Sequence, residues 1–142
     1  MPMGKSLIPK NPEPFSSILG LDVGQKRIGV AISNVIAKMP RPLCTLTNNE
    51  QIFSEVGKIA KTERAGFVVV GLPRNLDGLE TSQSEEIREF ATNLTLATGL
   101  RVEFADETLS SKRAEQLMRT HQTKHGLDEF AACFILEEFF AN

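Results

Sequence analysis

The sequence has no tryptophan, no tyrosine and only two cysteines among its 142 residues. Cys44 and Cys133 stand 89 positions apart, in neither a CxxC nor a zinc-ribbon pattern, and a chain of this length does not need disulfides to hold a core. That excludes a disulfide scaffold and makes a reducing, cytoplasmic setting the simplest expectation. No apolar run reaches the roughly 18 residues of a membrane-spanning helix, so no membrane partner is expected. The opening MPMGKSLIPKNPEP offers only Leu7 and Ile8 where an export signal needs an apolar stretch of roughly 7–15 residues. A large excess of one charge is also missing: 16 Lys and Arg face 18 Asp and Glu. The basic coat of a non-specific nucleic-acid binder is thereby excluded.

What is present is the makeup of one folded unit. The hydrophobic fraction is 41%, ordinary for a globular domain, and the length suits a single domain. Residues 1–14 carry four prolines and no apolar periodicity, which predicts a flexible tail ahead of one domain over 15–142. The charge is divided: residues 1–79 hold 10 basic and 6 acidic side chains, residues 80–142 hold 6 and 12.

Ser17–Val23 and Arg27–Ser33, separated by Gly24-Gln25-Lys26, read as a hairpin. Lys38–Thr47, with Pro40 and Pro42, leaves room for at most a short edge strand. Apolar spacing predicts helices over Glu50–Arg64 and over Ser82–Thr98, the latter with Ser82 and Glu85 at capping-box spacing and Gly99 as its stop. Phe67–Gly71 is a continuous apolar run suited to a strand covered on both faces, and Leu100–Ala105 reads as a further strand. Ser110–Thr120 predicts a helix, and Leu127–Phe140 a last helix with almost no polar face, hence deeply buried. Its phenylalanines Phe130, Phe134, Phe139 and Phe140 read as core. Together these elements predict an α/β layer architecture.

Ligand sites in such sheets gather at the carboxyl ends of strands, and acids fall there. Asp22 ends the first strand, Asp106 and Glu107 follow a later one, and Asp128 opens the last helix. Each has a bland reading: a turn residue, solvated loop acids, a carboxylate at a helix N-terminus. Yet Asp128 begins a helix with little polar face, so its carboxylate is expected close to the core, where an uncompensated charge is costly. A hard divalent cation shared with other carboxylates would resolve that cost.

Four ordered blocks resemble the YqgF family: Ile18–Ser33 (ILGLDVGQKRIGVAIS), Val69–Gly78 (VVGLPRNLDG), Asp106–Ser111 (DETLSS) and Asp128–Glu137 (DEFAACFILE). The resemblance implies a ribonuclease H-like fold, a five-stranded mixed sheet flanked by helices, in a group of Holliday-junction resolvases associated with maturation of the 5′ end of pre-16S ribosomal RNA. It implies Asp22, Glu107 and Asp128 as catalytic and metal-binding acids, with Mg²⁺ or Mn²⁺, two ions in all, as cofactor. Cleavage by water would then leave 5′-phosphate and 3′-hydroxyl ends. Lys26, Arg27, Arg74, Asn75 and Lys112 are the candidates for nucleic-acid contact, each also readable as a solvated surface residue.

Two positions depart from the family pattern. Asn34 stands where an Asp usually follows the first block's Ser33, a change expected to be tolerated, and Thr108 replaces an arginine that could hold phosphate. His121 and His125 have a spacing that can bind zinc, but Gln122 and Gly126 spoil the motif. The expected activity is a metal-dependent endonuclease on structured RNA, working as a monomer or a homodimer. The alternatives are a resolvase of four-way DNA and a non-catalytic nucleic-acid-binding factor. The start Asp22-Val23-Gly24 also resembles the phosphate loop of actin-like ATPases, which need two such domains.

Overall fold

The structure is a computed structural model and describes residues 16–73, 81–106 and 127–141. In chain order the elements are β1 (Ser17–Val23), β2 (Arg27–Asn34), β3 (Arg41–Thr47), α1 (Ile52–Thr62), β4 (Ala65–Leu72), α2 (Ser82–Thr98), β5 (Arg101–Asp106) and α3 (Leu127–Ala141). The strands form one five-stranded sheet in the order β3-β2-β1-β4-β5. β1 to β3 are joined antiparallel, and β4 runs parallel to both β1 and β5. The expected five-stranded mixed sheet flanked by helices is therefore present. The expected tail and the helix over 110–120 lie outside the described residues.

Strand alternation sends successive side chains to opposite faces. Leu19, Leu21, Ile28, Val30, Ile32, Val68, Val70 and Leu72 face α1 and α2, meeting Ile52, Val56, Ala60, Ile87 and Leu94. Complete burial of each such Leu or Ile contributes roughly 1.5–3 kcal/mol. Ile18, Ala31, Phe67, Val69 and Ala105 face α3 and meet Ala132, Cys133, Ile135 and Leu136. The expected burial of the last helix holds: Phe130 through Leu136 are all buried. Phe139 and Phe140 are half-buried and pack against the same cluster.

Two local expectations need correction. The cap of α2 is Thr81, whose extended backbone lets its hydroxyl accept from Ser84 N while Ser84 Oγ accepts from Thr81 N. The capping pair is thus one residue earlier than Ser82 and Glu85, because Ser84 Oγ also donates to the carbonyl of Pro73 and ties the helix start to the end of β4. β3 is an edge strand as expected, but it runs for seven residues. It tolerates Pro42 because the β2–β3 register shifts between Val30 and Ala31, so the missing N–H falls at a bulge. Asn34 shapes the following turn, its Oδ1 accepting from Ile36 N (2.7 Å) and Ala37 N (3.0 Å). It sits opposite Ser17, at the end of β1 remote from Asp22.

Candidate active site

Asp22 lies near the carboxyl end of β1, directly opposite Gly29 of β2. Directly opposed residues share a face, so Asp22 and Gly29 both belong to the face covered by α3. Gly29 has no Cβ for a reason: one placed there would stand 2.0 Å from the carbonyl oxygen of Asp128 and 2.8 Å from its Cβ. A larger residue at position 29 would push the first turn of α3 off the sheet. Gly20 repeats the device one turn pair further along, where a Cβ would meet Leu136 Cγ at 2.6 Å and Ala132 O at 2.9 Å. Two glycines on neighbouring strands therefore let α3 lie on the backbone of the sheet. Their positions bring the start of that helix, with Asp128, over the strand residue that faces Asp22.

Asp128 is not buried without compensation. Its Oδ2 accepts from Arg27 Nε at 3.0 Å, with the two side chains 31% and 67% exposed. The expectation that its carboxylate sits close to the core is corrected: it is part-exposed, and Arg27, two residues before Gly29 on the same face, supplies a counter-charge. The acid that does enter the core is its neighbour Glu129, 8% exposed, which accepts from Thr45 Oγ1 at 2.9 Å. Thr45 pairs with Gly29 across the β2–β3 ladder. A single row across three strands, Asp22, Gly29, Thr45, thus carries the first turn of α3, with Asp128 over its middle and Glu129 fastened to its end.

The β1–β2 turn is fixed from the far side by Asn48, whose Nδ2 donates to Gly24 O (2.8 Å) and whose N donates to Lys26 O (2.9 Å). Gly24 is required by close approach, since a Cβ would lie 2.7 Å from Arg27 O. Lys26 and Arg27 are exposed at this turn. Asp106 belongs to the other face: it follows Ala105, which faces α3, and pairs with Leu72 at the end of β4. Glu107, Arg74, Asn75 and Lys112, like His121 and His125, lie outside the described residues. Among the described residues no three His, Cys, Asp or Glu side chains converge as a metal-holding group. Sequence reasoning missed Glu129, Thr45 and Asn48. The one signal that could have found the contact over β2 is an isolated glycine inside a strand, which often marks a close backbone approach.

A mixed sheet ordered β3-β2-β1-β4-β5 with helices on both faces defines a ribonuclease H-like fold. Solved structures agree on the fold. Thermus thermophilus RuvC in complex with a Holliday junction superimposes with a TM-score of 0.54 at 16% identity, covering 88% of this chain and 94% of that one. Fowlpox virus resolvase, also bound to a Holliday junction, gives 0.53 at 13% identity over 87% and 95%. The chain belongs to the RuvX family, described as Holliday junction resolvase, which it matches over residues 16–142; this is the YqgF group its motif blocks resemble. Relatives that carry the provisional name pre-16S rRNA nuclease include one from Orientia tsutsugamushi, 39% identical over 84% of this chain and 80% of the relative. Another from Bordetella pertussis is 37% identical over 89% and 94%. Membership makes the chain a nuclease, a hydrolase of phosphodiester bonds.

Proposed function

We propose that the chain is a divalent-metal-dependent endonuclease that trims the 5′ end of pre-16S ribosomal RNA, with Asp22, Glu107 and Asp128 as its metal-binding acids. The observation that carries the reading is the placement of Asp22 and Asp128 on one face, enforced by the missing Cβ of Gly29. The donor set fits: carboxylate oxygens suit Mg²⁺ or Mn²⁺ better than a softer ion. A pair of such ions, when bound, activates water and stabilises the leaving oxygen of an in-line phosphoryl displacement.

The chain's own residues do the rest. Asp22 enters from a strand and Asp128 from a helix packed on that strand's neighbour, so their separation is set by rigid elements rather than by loops. Arg27 balances Asp128 and extends to solvent beside it, where its guanidinium can take a phosphate oxygen in fork geometry. Lys26 adds a second exposed cation at the same turn, and the reading extends phosphate contacts to Arg74, Asn75 and Lys112. No helix of the described residues is long and apolar enough to cross a membrane. The reading sets the protein in the cytoplasm, where its substrate would be.

The test offers the purified protein a pre-16S fragment and a synthetic four-way DNA junction side by side, with Mg²⁺ and with chelator. Mg²⁺-dependent cleavage of the RNA that is lost in Asp22→Asn and Asp128→Asn supports the reading. Preferential cutting of the junction would replace the substrate, and unchanged cleavage by Asp22→Asn would overturn the mechanism.

A further inference from the structure

On the face of the sheet opposite the acids, a cleft of about 580 Å³ opens between the β1–β2 turn and the first turns of α2. It begins at Val23, the residue after Asp22, so a strand crossing the end of β1 meets both the acids and this cleft. Its chemistry is unlike a phosphate site. Val23, Ile87 and Phe90 supply apolar surface, while Gln25, Asn48 and Gln83 supply carboxamides that each donate and accept hydrogen bonds. Among the described residues the one ionisable side chain on its wall is Glu86, which repels phosphate and accepts from N–H groups. Phe90 is braced by Phe53, ring centroids 5.2 Å apart, and Asn48 is held by its bond to Gly24 O. The wall is therefore in place before a ligand arrives.

We propose that this cleft receives one unpaired nucleobase of the RNA strand beside the cleavage point, ring against Phe90 and an exocyclic amino group toward Glu86. The volume falls in the range of about 300–1,000 Å³ that small-ligand sites occupy. Splayed bases read by an aromatic face and by amide hydrogen bonds are the usual currency of single-stranded RNA recognition. Arg27, a proposed backbone contact, pairs with Asp128 on the α3 side of the same turn, so phosphate and base are handled by separate walls. The proposal rests on the nuclease reading for its substrate and adds a preference for unpaired sequence at the site.

Because the chain has no tryptophan, Phe90→Trp places a single fluorophore on the cleft wall. Titrating this variant with short single-stranded oligoribonucleotides is expected to give saturable quenching, stronger for oligo(C) or oligo(A) than for oligo(U), and little with a blunt duplex. In parallel, anisotropy of a labelled oligo(C) is measured on the wild-type protein and on the double variant Gln83→Ala/Glu86→Ala, both positions being exposed on α2. A roughly 10-fold weaker affinity in the double variant is expected, because two hydrogen-bonding side chains of the wall are removed while the ring of Phe90 stays. Equal affinity of the double variant, or equal quenching by duplex and single strand, overturns the cleft even if RNA is cleaved. Quenching and the affinity difference without any RNA cleavage support the cleft and overturn the nuclease reading instead.

Discussion

Over one face of the sheet α1 and α2 rest on a layer of Leu, Ile and Val side chains; over the other α3 packs on Ile18, Ala31, Phe67 and Val69 and lies so close to Gly20 and Gly29 that a methyl group added at either would strike its backbone. The first face is an ordinary apolar core, whose stability comes from buried area and tolerates modest rearrangement. The second is a mount. There the small residues remove the spacing that side chains would impose, and the helix is located by contact with strand backbone. Asp22 and Asp128 both lie on the second face, where the missing Cβ of Gly29 lets the helix terminus sit against strand backbone.

The sharpest way to break this comparison is to change one residue on each face and read activity and stability separately. Asp22→Asn is expected to lower single-turnover cleavage by well over the roughly 10–100-fold that losing an outer-shell partner costs a metal site. Its thermal unfolding should change far less than its activity, since Asn keeps the volume and polarity of Asp22. Leu19→Ala on the opposite face should behave inversely. It removes a fully buried side chain and is expected to destabilise by about 2–5 kcal/mol, with turnover per folded molecule kept within about twofold. Activity loss from Leu19→Ala well below its unfolding temperature would show that the two faces are not separable.

Gly29→Ala is the next test and the most direct one of the mount. The new Cβ would have to clear the Asp128 carbonyl carbon, 2.2 Å away, as well as its oxygen, so the first turn of α3 must shift. Overpacking of this kind costs about 1–3 kcal/mol, and a 1 Å misplacement of a reacting group can cost on the order of 100-fold in rate. A crystal structure of the variant with Asp128 undisplaced, or full activity in solution, would remove the role given to the glycine.

The elements of both faces were legible in the sequence because they rest on local pattern. Apolar periodicity places α1 and α2 within two residues of their ends, and the hairpin follows from Gly24. The acids at strand and helix termini were legible too, as was the family, since its motif blocks are contiguous. What the sequence did not carry is pairing between distant residues. Nothing local to Asp128 announces Arg27, 101 positions away, so the reading that set its carboxylate close to the core did not include that partner. Glu129 next door was not singled out by the sequence; its partner Thr45, 84 positions away, is brought beneath it by the β2–β3 register. The cap of α2 was displaced by one residue for a similar reason, the bond from Ser84 to Pro73.

That buried pair sharpens the account of the mount. If Glu129 fastens the start of α3 to β3, Thr45→Val, which keeps the volume and removes the donor, should let the helix terminus drift while leaving the core filled. A hydrogen bond to an acidic group contributes about 1.5–3 kcal/mol, and a loss of that order in urea unfolding is expected. Cleavage should fall about 10-fold, the low end for an outer-shell change, and higher Mg²⁺ should restore part of it if Asp128 is merely misplaced. Thr45→Ser, which retains the hydroxyl, should restore both. A destabilised Thr45→Val with unaltered metal dependence would make the pair structural only.

The smallest expected effect distinguishes the faces by their thiols. Cys133, 5% exposed against the α3 side of the sheet, is pushed up from 9.0 to about 12, first by burial and then by Glu137 and Glu129. Cys44, half-buried beside Val30, is raised as well, by burial first and then by Glu129 and Glu55. A folded thiol that holds its proton to about 12 while the unfolded thiol releases it near 9.0 makes stability fall as pH rises. The contribution is complete below the unfolded value and is lost progressively between the two, because over that window the unfolded state binds fewer protons. For one group the slope reaches at most about 1.4 kcal/mol per pH unit. Cys133→Ala, although it loses some packing at neutral pH, should therefore flatten the decline of unfolding free energy between pH 9.0 and 11. Cys44→Ala, the less buried of the two, should flatten it less. Urea titrations at several pH values give both slopes, and a larger change from Cys44→Ala would reverse the assignment of the tighter face to α3.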